Sequence, residues 1–577
     1  MDPTIARELS RLDPTVPFRA STAHLHHTWA RTFFARPELY IRPRSLPEIE
    51  KIVTLARRCR RRIVVVGSGH SPSDLTCTSS WLVNLDDFNS ILSVDADKKI
   101  VTVQAGIRLR DLGRELEEKY GLTLSNLGSI DSQSIAGVIA TGTHGSSLKH
   151  GLLSECILSL TLMLANGQTV RCSATSNQEL FRAALVSLGA LGIVVEVTFQ
   201  AEPTFKVKWQ QTLRPLSQVL DEWSSDLWTS HEFVRVWWMP YLKQAIVWRA
   251  DKTEEPLRPP PQTFYGRWLG YQIYHNLLAL SNYVPQILPW IEWFVFGMQY
   301  GFKPGAKVTE AVQTAREGLL MDCLYSQFVN EWALPLEKGP EALTRLSAWL
   351  NGDEETAQIP YSSKGVYVHC PIEVRVADTT LTDSPRPYLD PTCHYGPTLY
   401  LNATLYRPYL RDPPCTHQYY MAFEWLMRSM GAKPHWAKNF TTDTGRKELH
   451  GMYGADMDAW LAVRKEVDVD GMFVGEWHQR NLLPDPAAEA GAEPTSTLPL
   501  QEREKARRKF GGRGAGDGLE WIGERRWELA SERRVPGTEQ ESTTSTPSPP
   551  MTATSEESFD LFAHGEASLV LPPSQSS

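Results

Sequence analysis

The stretch IVVVGSGHSPS, Ile63 to Ser73, places an imidazole directly after Gly-Ser-Gly at the end of a β-branched run. Four β-branched residues in succession read as a buried strand. Glycines at 67 and 69 permit positive φ and remove the side chains that would block a ligand. Backbone N–H groups of such a loop form an anion-binding concavity suited to a pyrophosphate. Neither GxGxxG nor GxxxxGK[ST] fits the stretch, which excludes the dinucleotide fingerprint and the P-loop. On these residues alone, a tight turn fits as well as a cofactor loop.

Moving outward, NLGSIDSQSIAGVIATGTHGSSLKHG, Asn126 to Gly151, carries glycines at 128, 137, 142, 145 and 151 among Ser and Thr. Small residues at that density let a long ligand lie along the backbone, its phosphates held by N–H groups and hydroxyls. A third glycine turn, Gly192 before Ile193, opens the strand-like IVVEVTF. Between these pieces, RPRSLPEIEKIVTLARRCR reads as an amphipathic helix with Ser45 as N-cap and Pro47 in its first turn. LRDLGRELEEKYG reads as another, ended by a capping Gly121. The alternation predicts an α+β or α/β domain and excludes a helical bundle or a sandwich. From Pro203 to Leu483 Trp and Tyr become dense, and FVRVWWMPYLKQAIVWRA alternates as strands of a broad sheet.

A chain of 577 residues exceeds one hydrophobic core, so two or more domains are expected. The net charge of −8 argues against a nucleic-acid binder. Eight cysteines, at 59, 77, 156, 172, 323, 370, 393 and 415, form no CxxC pair, so no metal site or disulfide framework is indicated. The N-terminus lacks a signal peptide's apolar core, and Asp2, Glu8 and Asp13 disfavour a matrix presequence. Trp268 to Ile291 holds no charged residue, yet Pro285, Pro289, Gln272, His275, Asn276, Asn282 and Gln286 interrupt it. It reads either as a headgroup-level membrane anchor or as a buried insert, not as a span. Beyond Pro484 the Ser/Thr/Pro/Glu-rich chain is too poor in apolar residues to offset ordering entropy.

Two further pairs carry candidate chemistry. In HCPIEVRVAD, Glu373 and Arg375 share one face of a strand whose other face is Ile372, Val374 and Val376. They are a surface ion pair of little value, or a clamp for a polyhydroxylated ligand. In GAKPHWAKNF, His435 and Lys438 share one side of a turn. On residues alone a loop histidine and a solvated lysine fit there.

The motifs VGSGHSPS (66–73), LGSI (127–130) and AGVIATGTHG (136–145), with the E-x-R and H-W-x-K pairs, resemble the sugar-1,4-lactone oxidases, whose FAD-binding domain is of the vanillyl-alcohol-oxidase (PCMH) type. The resemblance covers about residues 18 to 480. It implies an α+β, two-domain fold: an arm (1–17), an FAD-binding domain (18–203), a substrate domain with a large, mainly antiparallel sheet and flanking helices (204–484, with the aromatic insert 264–301), and a tail without ordered structure (485–577). It implies FAD bonded covalently to His70 and held by Val66, Gly67, Ser68, Gly69, Ser71, Gly128, Ser129, Gly137, Thr141, Gly142, Thr143, His144, Gly145, Gly192 and Ile193. Glu373 and Arg375 then line the substrate pocket, Lys438 stabilises negative charge on the flavin, and His435 positions substrate or takes its hydroxyl proton.

The implied reaction is flavin-dependent oxidation of an aldono-1,4-lactone at C2 by O2, with D-arabinono-1,4-lactone the substrate of the fungal members and H2O2 a product. A dehydrogenase passing electrons to cytochrome or quinone, and a non-catalytic flavin-bearing interaction protein, are the competing readings. No metal and no nucleic acid are expected. Peripheral association with the mitochondrial outer membrane is implied by resemblance to fungal members, with a cytoplasmic location as the alternative.

Overall fold

The Ile63–Val66 run is the edge of a four-stranded sheet in the order Ala20–Ser21, Leu39–Ile41, Trp81–Asn84, Ile63–Val66, parallel across its last three strands. The helix Leu46–Cys59 crosses over between them and buries Ile49, Ile52, Val53 and Ala56, an i, i+3, i+4, i+7 stripe. Ser45 stands at its N-cap, but the hydroxyl bonds Glu48 Oε1 at 3.3 Å rather than a backbone N–H. The helix Leu109–Tyr120 ends on Gly121 at φ 63°, the left-handed cap its sequence announced.

The computed structural model describes residues 1–263, 267–321, 323–369, 371–440, 444–483 and 519–521. All lie in one compact unit, Met1–Arg533; a second, Arg534–Ser577, is outside the described residues. So is most of the range read as an unstructured tail, although Leu519–Trp521 pairs in parallel with Phe33–Ala35.

A second sheet is antiparallel: Thr169–Ser173, Ile157–Met163, Ile193–Gln200, Ile100–Gln104, Ile91–Asp95. The third, also antiparallel, has eight strands: Val308–Thr314, Lys206–Pro215, Gln244–Thr253, Phe233–Met239, Ile372–Ala377, Thr398–Tyr406, Gln327–Pro335, Lys433–Pro434. Its central strands use the period of two: Val236, Trp238, Val374, Val376, Leu399, Leu401, Trp332 and Leu334 face a core shared with the helices Gly339–Leu350 and Thr416–Ser429. Trp237, Glu373, Arg375, Asn402 and Val329 face the other way, into a cavity.

Packing crosses two of the expected boundaries. Residues 1–17 are not a free arm: Ile5 is fully buried in the first core, and Lys51 Nζ bonds the carbonyls of Asp13 and Val16 at 2.7 and 2.6 Å. The substrate domain does not run unbroken to 484 either. Trp436, Leu449, Tyr453, Trp460, Phe473 and Trp477 join the first core, and Ile63 N–H donates to Met472 O at 2.8 Å. The apolar faces of Arg446–Tyr453 and Ala455–Val467 are buried against the N-terminal half of the chain.

The aromatic insert forms two helices, Trp268–Ser281 and Leu288–Tyr300, whose Tyr274, Leu278, Ile291 and Val295 share a small separate core with Tyr325. Among the described residues no helix is long and apolar enough to cross a membrane.

Candidate active site

Two cavities meet at His70. The first, about 980 Å³, is lined by Val64 to Ser71, Gly137, Thr141, Gly189, Gly192 and Phe473. The second, about 1060 Å³, is lined by Trp29, Gly128, Ser129, Thr143, His144, Trp237, Glu373, Arg375, Asn402, His435 and Lys438. His70 and Gln133 line both. The two Gly-rich stretches and the two charged pairs, far apart in the chain, therefore converge on one continuous site.

The first cavity fits a long cofactor. A Cβ on Gly67 would lie 2.5 Å from Ser134 Oγ, and Gly192, at φ 142°, puts a Cβ position 2.6 Å from the Met163 carbonyl. Both positions demand the absence of a side chain, and both lie on the wall. His70 reaches the junction with Nε2 2.6 Å from Ser132 Oγ, while Nδ1 is buried without a partner. Burial, then the nearby Arg108, Lys438 and Arg110 charges, lower the imidazole to about 4, so at neutral pH it is an uncharged nucleophile. These features fit FAD lying along the loop with its ring system beside His70.

Three of the residues that the resemblance implies for FAD do not line either cavity. Gly142 takes a left-handed turn (φ 68°) against Pro391, Gly145 packs on the Asn126 amide, and Ile193 is fully buried in the core strand it opens. The two glycines leave room for these packing neighbours, which the motif around them did not announce.

The second cavity is organised around a residue the sequence reading missed. Glu331 is buried in the middle of Gln327–Pro335. Its Oε1 accepts from Arg375 Nη2 at 2.5 Å and lies 3.5 Å from His144 Nε2; Lys438 Nζ is 3.7 Å from Oε2. Burial alone would raise this carboxyl, but the Arg375 guanidinium and the Lys438 ammonium outweigh it and hold it well below the carboxylate range. Arg375 is pinned further by Ser129 Oγ at 3.2 Å and Glu373 Oε2 at 3.5 Å, which ties the LGSI loop to the large sheet.

Glu373 lines the cavity and is left with Oε1 buried and unpartnered. His435 Nδ1 accepts from Ala437 N–H at 3.1 Å, so its neutral ring carries hydrogen on Nε2. Burial, opposed by the Glu331 carboxylate and aided by the Lys438 and Arg375 cations, drives it well below 6.5. The arrangement offers one free carboxylate oxygen, a fixed guanidinium fork, an ammonium and an imidazole donor. His144, Glu331 and His435 bring ligand atoms within 4.8 Å of one another. A metal ion there would face Arg375 and Lys438 across the same carboxylate, which disfavours it.

Gln133, Trp29 and Asn402 also went unrecognised; nothing in their local sequence marks them. Glu331 carried a faint signal, an acid inside the apolar run FVNEWAL.

A family model described as D-arabinono-1,4-lactone oxidase matches residues 197–481, and one described as an FAD binding domain matches residues 37–173. A Neurospora crassa relative is 53% identical, covering 90% of this chain and 96% of its own. The D-arabinono-1,4-lactone oxidases of Yarrowia lipolytica and Saccharomyces cerevisiae are 41% and 37% identical, over 80% and 82% of this chain and 98% and 99% of theirs. Among solved structures, a cholesterol oxidase of Brevibacterium sterolicum aligns with a TM-score of 0.67 at 16% identity, covering 82% of this chain and 99% of that one. A xylooligosaccharide oxidase of Myceliophthora thermophila aligns at 0.59 and 16%, over 82% and 98%. At that identity these two speak for the fold alone. With its FAD-binding half, its large antiparallel sheet and relatives matched over nearly their whole length, the chain belongs to the D-arabinono-1,4-lactone oxidase family of FAD-dependent oxidoreductases.

Proposed function

We propose that this chain oxidises D-arabinono-1,4-lactone at C2 with O2 as acceptor, giving dehydro-D-arabinono-1,4-lactone (D-erythroascorbate) and H2O2. The observation that carries the reading is the convergence of Glu373, Arg375, His435 and Lys438 on a cavity that His70 shares with the cofactor cleft. Bound FAD supplies the acceptor for the C2 hydride and returns the electron pair to O2. Glu373 Oε1, the unpartnered oxygen, takes the C2 hydroxyl proton. Arg375, held by Glu331 and Ser129, presents its fork to the lactone carbonyl. His435 donates from Nε2 to a ring hydroxyl, and its neutral, already engaged ring makes it a poor base. Lys438 would offset the negative charge that the cofactor gains on accepting the hydride.

Turnover assays with D-arabinono-, L-galactono- and L-gulono-1,4-lactone, reading H2O2 and the ene-diol product, test this. H2O2 formation fastest with the first supports the reading. Reduced protein that persists in air while cytochrome c is reduced would transfer the chain to the dehydrogenases. Covalent attachment at His70 is part of the proposal; acid-precipitated protein should stay yellow and fluoresce in a denaturing gel, and His70→Ala should not.

The hairpin Trp268–Tyr300 is the proposed peripheral contact with the cytosolic face of the mitochondrial outer membrane. Trp268 (75% exposed), Tyr283 (70%), Trp290 (51%) and Trp293 (45%) stand on it in solvent, a density of exposed aromatics suited to the headgroup boundary. Flotation with phosphatidylcholine/cardiolipin vesicles should carry the chain upward, and the variant Tyr283→Ser/Trp290→Ser/Trp293→Ser should remain below. Equal flotation would remove the hairpin from the account.

A further inference from the structure

His70 is held by a side-chain hydrogen bond. Ser132 Oγ lies 2.6 Å from its Nε2. Ser132 is itself held: its carbonyl accepts from Arg108 Nη1 at 2.7 Å, and Arg108 is ion-paired with Asp86. The imidazole stacks on Trp29, ring centroids 5.2 Å apart, so its plane is fixed as well. That leaves one nitrogen against a hydroxyl and the other, Nδ1, buried and free.

We propose that Ser132 is the positioning residue for flavin attachment: its hydroxyl holds the His70 hydrogen on Nε2, leaving the lone pair on Nδ1, and relays that proton to water as the bond to the cofactor forms. This rests on the reading that His70 carries FAD covalently.

The chemistry requires such a partner. A neutral imidazole has one N–H and one lone pair, and the lone pair must be on the attacking nitrogen. The opposite tautomer would strand a buried Nδ1–H without an acceptor, which is unfavourable. As Nδ1 bonds the flavin 8α-methyl carbon, one methyl hydrogen leaves as a proton and passes to water. The electron pair stays in the ring system as two-electron-reduced flavin, which O2 reoxidises to give H2O2. The ring would be left as an imidazolium if Nε2 kept its hydrogen. Burial and three neighbouring cations oppose that charge, so the proton leaves with bond formation. A hydroxyl serves both states: it accepts from Nε2–H before and donates to bare Nε2 after.

The full chain, produced under riboflavin limitation and then given FAD, is followed for acid-stable, gel-fluorescent flavin against time. Ser132→Ala should bind FAD, as read from the native absorption spectrum, but form the covalent bond on the order of 10²-fold more slowly. Ser132→Thr, which keeps the hydroxyl, should restore most of the rate. Attachment by Ser132→Ala at the wild-type rate overturns the proposal. So does a Ser132→Thr chain as slow as Ser132→Ala with its flavin in place. Should Ser132→Ala fail to hold FAD, the wild-type chain decides: attachment should slow in D2O, and equal rates in H2O and D2O overturn the assignment. Wild-type flavin that acid releases entirely would refute the tether itself, an outcome separate from any of these.

Discussion

At the scale of single residues the site is a set of charges whose partners decide their roles. Arg375 would be an expensive guanidinium at 5% exposure without Glu331 opposite it. Replacing Glu331 by Gln keeps the shape and removes the charge, so Arg375 and Lys438 lose their common counter-ion. Removing one partner of a buried pair costs about 3–5 kcal/mol, and a loosened fork binds substrate and transition state less well. Glu331→Gln should therefore lower the melting temperature, raise KM for the lactone and cut kcat/KM by roughly 10²-fold. Kinetics and melting like wild type would reduce Glu331 to packing. Lys438, by contrast, is 24% exposed at its side chain and has no such structural duty. Lys438→Met should leave flavin content and melting temperature unchanged while kcat falls about 10²- to 10³-fold; a change in KM alone would contradict its assigned role. His435 supplies a pH argument. Burial holds its folded value well below 6.5, so the ring is uncharged at neutral pH and does not set an acid limb of kcat/KM there. His435→Gln should be slower than wild type with that limb at the same pH.

At the scale of elements, the hairpin is held to the large sheet by a carboxyl. Glu292, on the helix Leu288–Tyr300, is 4% exposed and accepts from the backbone N–H groups of Tyr241 and Leu242 at 3.2 and 3.1 Å. Burial raises it to about 8, only partly countered by those two bonds. An unfolded Glu titrates near 4.3, so between about pH 4.3 and 8 the folded chain binds the extra proton. Its contribution to stability is greatest below that window and is lost as pH rises through 8. Glu292→Gln cannot lose a proton. The difference in melting temperature, variant minus wild type, should grow from pH 5 to pH 9, and a difference independent of pH would show the carboxyl is not the titrating group. The two faces of Ile372–Ala377 were legible because charged and apolar residues alternate strictly, whereas Glu331 was not. Its strand is buried on both faces, so no alternation marks which side meets the cavity.

Across the whole molecule, what could be read were local rules: glycine turns, helix caps, alternation, and a resemblance dense enough to join them. The return of residues 436–482 to the first core could not be read this way. The helices Arg446–Tyr453 and Ala455–Val467 are amphipathic toward a surface formed some 300 residues earlier, and periodicity names a buried face without naming its partner. That return has a consequence for truncation. Leu449, Met457, Trp460, Phe473 and Trp477 are each within 3% of complete burial in the core that carries the His70 loop. A large apolar side chain contributes roughly 1.5–3 kcal/mol on burial, so the five together rival the 5–15 kcal/mol by which a domain is stable at all. A chain ending at Leu483 keeps them and should fold, bind FAD and melt close to the full-length protein. One ending at Phe440 keeps all eight strands of the large sheet and every candidate catalytic residue, yet should be insoluble or flavin-free. Soluble, yellow protein from that shorter chain would mean the first domain stands without the helices that close it.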